Sequence, residues 1–359
     1  MTQYIIRRLL AAIPVVFGVL FVTFALARSI PGDPCTAYLG EKATEAICDQ
    51  FFHDKGLDQP IAVQFGIYLR DILQGDLGES IRLKQPVTQI LIQRLPVTVE
   101  LGMTALFLAL LLGIPLGIIS AVRRNSPIDV ATMVGANIGV SMPVFWLGLM
   151  LQYLFALRLK DTILSLEPTG RLSPGVRVTP FYQFYEMELA EAGLSRSLME
   201  FLSNFYVFNS IITGQWEVLG NALAHLVLPA VALSTISMAV IARMTRSSML
   251  EVLGLDYIRT ARAKGLDRYT VVVKHAFRNA LLPIVTIAGL QLGLVLSGAI
   301  LTESVFGLSG AGRTLYEAIT ARDYPIIQGF VVVISVGYVF INLLIDLSYA
   351  YLDPRIRLN

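Results

Sequence analysis

The residues best placed to do chemistry in this chain are cations, not nucleophiles or metal ligands. Arg243, Arg246, Arg259, Arg262, Lys264, Arg268, Lys274 and Arg278 crowd one stretch between two long apolar runs. Inside it lies Asp256-Tyr257-Ile258-Arg259-Thr260-Ala261-Arg262-Ala263-Lys264-Gly265-Leu266. Tyr257, Ile258, Ala261 and Leu266 recur at helical spacing, while Arg259, Arg262 and Lys264 fill other faces. Gly265 can end such a helix, because glycine takes a positive φ without a Cβ clash. Asp267 can cap the next one. The chemistry such a helix offers is polar docking through Arg259, Arg262 and Lys264, with Ala261, Ala263 and Gly265 letting it seat closely. Periodicity alone fits a generic amphipathic loop equally well.

Other chemistry is missing. The chain has no Gly-Lys pair, hence no phosphate-cradling loop of the Gly-x-x-x-x-Gly-Lys-Ser/Thr kind. No His-Glu-x-x-His helix and no Gly-x-Ser-x-Gly elbow occurs. His53, His225 and His275 fall in different regions, and no Cys/His cluster has zinc spacing, so no metal site is expected. Gly307, Gly310 and Gly312 follow no strand and have the wrong order for a dinucleotide fingerprint.

Composition supplies the setting. Of 359 residues 55% are hydrophobic and 15% charged, against roughly 25% charged in soluble domains, which indicates a polytopic membrane protein. Basic residues at membrane edges argue against a nucleic-acid partner. Apolar runs at Tyr4–Ala27, Thr98–Val122, Val130–Leu157, Leu223–Ile241, Ala280–Leu301 and Ile326–Leu347 give six expected spans. Pro143 should bend the third. Pro86 to Pro96 reads as an interfacial helix followed by a turn into the bilayer. Arg7 and Arg8, Arg123 and Arg124, the 250–279 segment, and Arg355 and Arg357 fall on one side, taken as cytoplasmic, with both termini there. Acid-rich regions 30–97 and 158–220 fall on the other, with an amphipathic helix expected over Ile61–Leu73. Cys35 and Cys48 share the first of these, where an oxidising exterior permits a disulfide; two free thiols fit as well. Ionisable residues are nearly absent from the middle of the runs, which argues against an ion-driven carrier or membrane enzyme. Energy must then come from a partner.

Residues 256–265, with Leu282-Pro283 after them, resemble the EAA loop of binding-protein-dependent ABC import permeases, in the dipeptide/oligopeptide/nickel branch. Thr260 stands where the family pattern has its first Glu. Gly75-Asp76-Leu77-Gly78-Glu79-Ser80 and Pro143-Val144-Phe145-Trp146 are similar to further motifs of that branch. The resemblance implies an all-α polytopic membrane protein of six transmembrane helices. Residues 98–350 would form a MetI-like type I importer core, preceded by one extra N-terminal helix (1–29) and an extracytoplasmic region (30–97), and followed by a cytoplasmic tail (351–359). It implies half of a translocation path for di- or oligopeptides in a bacterial or archaeal inner membrane; nickel chelates, glutathione or oligosaccharides are alternative cargoes. Asp256–Leu266 would be the coupling helix. The partners implied are a second homologous permease, two ATPases holding ATP and Mg, and an external solute-binding protein; this chain would hold no cofactor. Glu303, Phe306, Gly307, Gly310, Gly312 and Arg313 resemble the scoop loop that lies near the binding protein.

Overall fold

The structure is a computed structural model describing residues 2–29, 35, 40, 43–54, 56–190 and 193–352. Pro31–Pro34, which should end the first helix, and the basic tail Asp353–Arg357 lie outside these residues. In hydrocarbon a helix satisfies its own backbone, so each long apolar run is helical. The long helices are α1 (Thr2–Ser29), α4 (Val87–Val122), α10 (Trp216–Leu253), α12 (Arg278–Val305) and α14 (Tyr324–Leu352). Each contains a segment long and apolar enough to cross a membrane; for α12 that segment is Thr270–Val295, reaching back into a π-helical turn at Thr270–Phe277. The pair α5 (Pro127–Ser141) and α6 (Val144–Gln152), which runs on into a π-helical turn at Tyr153–Arg158, is bent by 99° and is together long and apolar enough for a sixth, broken span or a re-entrant loop. Shorter helices are α2 (Glu45–Asp54), α3 (Ile61–Leu73), α7 (Phe181–Phe184), α8 (Leu194–Ser203), α9 (Tyr206–Thr213), α11 (Asp256–Ala263) and α13 (Ala311–Ala321).

Three expectations change in detail. Pro143 makes a break, not a bend: Met142 before it is extended (ψ 124°), as a residue preceding proline prefers, and the helix restarts after Pro143. No turn forms at Pro96. Helix α4 runs through Pro96 and Pro115 unbroken, with Val87, Ile90, Val97 and Leu101 buried along it. A membrane helix tolerates the lost backbone bond where neighbouring groups satisfy the freed carbonyl. Residues 303–327, expected as a loop, are largely helical, with turns at Gly307 (φ 64°) and Arg322 (φ 58°).

The chain divides into two compact units, residues 1–95 with 314–340, and residues 96–313 with 341–358. In the first, α3 lays Phe65 against Phe17, Phe21 and Phe24 of α1. The Ser80 hydroxyl donates to the buried Asp323 carboxylate at 2.6 Å, which also accepts from the Arg82 backbone N–H at 3.0 Å. The Gly75–Ser80 motif thereby anchors the start of α14. Cys35 and Cys48 are joined by a disulfide, their Cα atoms 5.5 Å apart.

In the second unit α10 is the central post. Its buried face includes Leu226, Leu233, Ile241 and Met249. The 158–220 segment is held to α4 by a charge pair: Arg171 donates to Glu100 at 2.9 Å and to the Asn204 carbonyl at 2.8 Å, with its guanidinium 3.5 Å from the centre of the Tyr206 ring. Small residues let α4 and α10 touch. A Cβ on Gly113 would lie 2.9 Å from the Met238 carbonyl oxygen, and one on Gly117 would lie 2.6 Å from the Ala242 carbonyl oxygen. Backbone cannot swing aside as a side-chain tip can. Gly117→Leu is therefore expected to destabilise the fold by about 3 kcal/mol, seen as a lower unfolding temperature in detergent. Gly135, with nothing within 4 Å of its Cβ position, is the matched control expected to tolerate alanine.

Candidate functional site

Helix α11 is short and strongly two-sided. Leu255 is extended (ψ 150°), which sends the chain away from α10 before Asp256 starts the new helix. Ile258 (0% exposed) and Ala261 (7%) stand at i and i+3, on one stripe, and enter a cluster with Met249, Val252, Val271, Ala276, Ala280 and Ile284. That cluster joins the ends of α10 and α12. Asp256, Tyr257, Arg259, Thr260, Arg262, Ala263, Lys264, Gly265 and Leu266 are exposed. One expectation is corrected: Ala261 faces the chain's own core, so it holds the helix from behind and is not a seat for a partner. Ala263 and Gly265 remain outside.

The helix ends as its glycine requires. Gly265 has φ 77°, its N–H donates to the Arg262 carbonyl at 3.0 Å, and the Leu266 N–H reaches back to the Ala261 carbonyl at 3.3 Å. These are the paired bonds of a glycine-terminated helix. The Thr270 hydroxyl and N–H both bond to Asp267 and hold its carboxyl below the usual carboxylate range; the N–H bond is 2.9 Å. Arg259 pairs with Asp256 at 3.3 Å, but both are open to water and the pair adds little.

One buried pair braces this end of the unit. Arg246 of α10 grips Asp129 of α5 with both arms, Nε to Oδ1 at 2.7 Å and Nη2 to Oδ2 at 2.8 Å. The Ser120 hydroxyl of α4 and the Asn125 backbone N–H also donate to this carboxylate. Asp129 thus ties three helices together. In the sequence its only mark is an acid and an arginine at the ends of apolar runs.

The loop after α12 also differs from expectation. Glu303 is fully buried, Phe306 is 2% exposed, and Gly310 and Gly312 are buried, while Gly307 and Arg313 are partly exposed. The Glu303 carboxylate accepts from the Thr98 hydroxyl and from the Arg313 backbone N–H at 2.7 Å; Thr98 in turn accepts from the Ala311 N–H at 2.7 Å. A Cβ on Gly310 would fall on the Glu303 carboxylate, and one on Gly312 would lie 2.9 Å from Ile300 Cα. Glu303, Phe306 and the two glycines therefore build the loop from inside and offer no surface to a partner.

The family description "Binding-protein-dependent transport system inner membrane component" matches residues 113–358, and its N-terminal companion matches residues 1–102. The chain belongs to that family. It is 44% identical to the dipeptide transport system permease protein DppB of Alkalihalophilus pseudofirmus over 357 residues, covering 99% of this chain and 100% of the relative. DppB of Escherichia coli K12 is 42% identical over 358 residues, 99% of each chain. The di/tripeptide permease DppB of Pseudomonas aeruginosa is 39% identical over the same coverage. The protein is thus a multi-pass inner-membrane permease subunit of an ABC transporter, and ATP hydrolysis belongs to another subunit of that assembly.

The buried acid of this permease lies near the end of α12, beyond the apolar run Ala280–Leu301. Burial pushes Glu303 up to about 6 from 4.5, against the opposing pull of Thr98, the Arg313 and Gly312 backbone N–H groups and the Arg313 charge. A carboxyl raised on folding binds more protons in the native state. Its contribution favours the fold below about pH 4.5 and is lost as pH rises through about 6, on the order of 2 kcal/mol in all. Glu303→Gln is expected to flatten the stability profile across pH 4.5–6, measured by thermal unfolding in detergent. A wild-type profile already flat there would contradict this placement of the carboxyl.

Proposed function

We propose that this permease forms half of a translocation path for dipeptides, with a second homologous permease, two ATPases that bind ATP and Mg, and an external solute-binding protein. The dipeptide cargo is that of the relatives, dipeptide permeases that cover this chain nearly end to end. The proposed topology places both termini and α11 in the cytoplasm, in line with the basic residues at Arg7, Arg8, Arg123, Arg124 and 259–268.

In this reading Asp256–Leu266 is the socket for the ATPase. The observation that carries it is the division of α11 into two faces. Ile258 and Ala261 are locked into the cluster joining α10 and α12, while Arg259, Thr260, Arg262, Ala263 and Lys264 face out. A load on the outer face passes into two spans without a flexible joint, as rigid-body switching between inward-open and outward-open states requires. In liposomes holding the full assembly, labelled dipeptide uptake should need ATP on the α11 side and binding protein on the other, and should survive a protonophore. Uptake driven by an ion gradient without ATP would overturn the proposal.

A further inference from the structure

Beside α11 lies a cavity of 660 Å³ whose lining contains four arginines and no carboxylate. Leu253 and Val272 are among its apolar lining, and Arg124, Arg259, Arg262 and Arg268 are its cations. Arg259 pairs with the exposed Asp256, which does not line the cavity, and Asp267, next to Arg268 in the chain, does not line it either. Among the described residues, Arg124, Arg262 and Arg268 make no ion pair. Val122 and Leu253, the last residues of two membrane-crossing helices, both line it, so it opens where those helices leave the apolar layer.

We infer that this cavity binds the phosphate headgroup of an anionic phospholipid, with its glycerol and upper acyl carbons against the apolar lining. Four guanidinium groups around one cavity repel one another unless an anion joins them. A guanidinium matches a phosphodiester with two parallel hydrogen bonds. A basic pocket between helices at the membrane edge is where a lipid headgroup reaches without leaving its leaflet. The volume exceeds what a free phosphate fills, and the apolar lining would gain nothing from one. Arg259 and Arg262 are shared with the docking face of α11, so the test is placed on Arg124 and Arg268, which lie off that helix.

The test uses the full chain in mild detergent, with native mass spectrometry against cardiolipin, phosphatidylglycerol, phosphatidylcholine and glycerol 1-phosphate. Expected are retained adducts of the two anionic lipids and weak ones of phosphatidylcholine. The double variant Arg124→Gln/Arg268→Gln should lose affinity for the anionic lipids about 30-fold, roughly fivefold for each arginine. Equal binding of phosphatidylcholine, equal binding of the soluble glycerol 1-phosphate, or no loss in the double variant would overturn the inference. If the double variant instead loses co-purification of the ATPase while its lipid preference stays unchanged, the cavity is a protein surface and the lipid site is refuted. A folding check by size-exclusion profile accompanies each arm, and Arg124→Lys/Arg268→Lys should restore part of the affinity.

Discussion

Replacing Arg259 and Arg262 together by glutamate is expected to cut ATP-driven uptake by at least about tenfold while the permease still folds and inserts. Both side chains stand in water, Arg259 with 75% of its side chain exposed, and exposed substitutions usually change stability by no more than about 0.5 kcal/mol. The effect must then arise at whatever binds this face, and loss of the ATPase from the purified assembly separates docking from the lipid cavity that Arg259 and Arg262 also line. Charge reversal on a docking face replaces attraction by like-charge repulsion, which costs several kcal/mol in a desolvated interface. Other positions on α11 are poorer probes. Gly265→Glu would meet open space, but at φ 77° it strains the backbone, so a loss of transport could come from a misplaced helix end. Ile258 is fully buried, and a charge there would disturb the cluster joining α10 and α12. Uptake and co-purification of the ATPase, measured on the same membranes, should fall together in the Arg259→Glu/Arg262→Glu protein. Unchanged uptake would remove the docking role.

The second large effect is expected at Asp129. Its side chain is 5% exposed and receives both arms of Arg246, the Ser120 hydroxyl and the Asn125 N–H. Asp129→Ala strands the arginine, whose side chain is 28% exposed, and orphans two donors. Breaking one side of a buried ion pair costs about 3–5 kcal/mol, and the exposure of Arg246 puts this case toward the lower figure. Arg246→Ala should also destabilise, and the double variant should fall short of the sum of the singles, since the two share one interaction. Unfolding temperatures for the four proteins check this. Strict additivity would mean that the pair contributes nothing as a pair.

Local signals were readable in the sequence, and distant pairings were not. Gly265 and Asp267 mark the end of α11 and the next start because both act within a few residues, through a positive φ and a side-chain cap. Ile61–Leu73 is visible from its period alone. The face of α11 was harder. Ile258 and Ala261 fall inward only because the cluster under them includes Val271, Ala276 and Ala280 beyond the turn, and spacing within one helix does not say which stripe meets that surface. Asp129 finds Arg246 117 residues away, and Ser80 finds Asp323 243 residues away. No local pattern encodes either partner. Glu303 misled for the same reason. A carboxylate in a glycine-rich stretch resembles an exposed contact until Thr98 and the Arg313 N–H are seen to close on it.

The reading of α11 as the socket for the motor is tested most directly by a single thiol. The chain's two cysteines are bonded to each other, so Ala263→Cys supplies a lone free thiol on the outer face of the helix. In membranes carrying the whole assembly, a short thiol-to-amine cross-linker should join Cys-substituted position 263 to the ATPase subunit, and an impermeant maleimide added outside intact cells should leave it unlabelled. Labelling from outside, with no cross-link to the ATPase, would contradict the account.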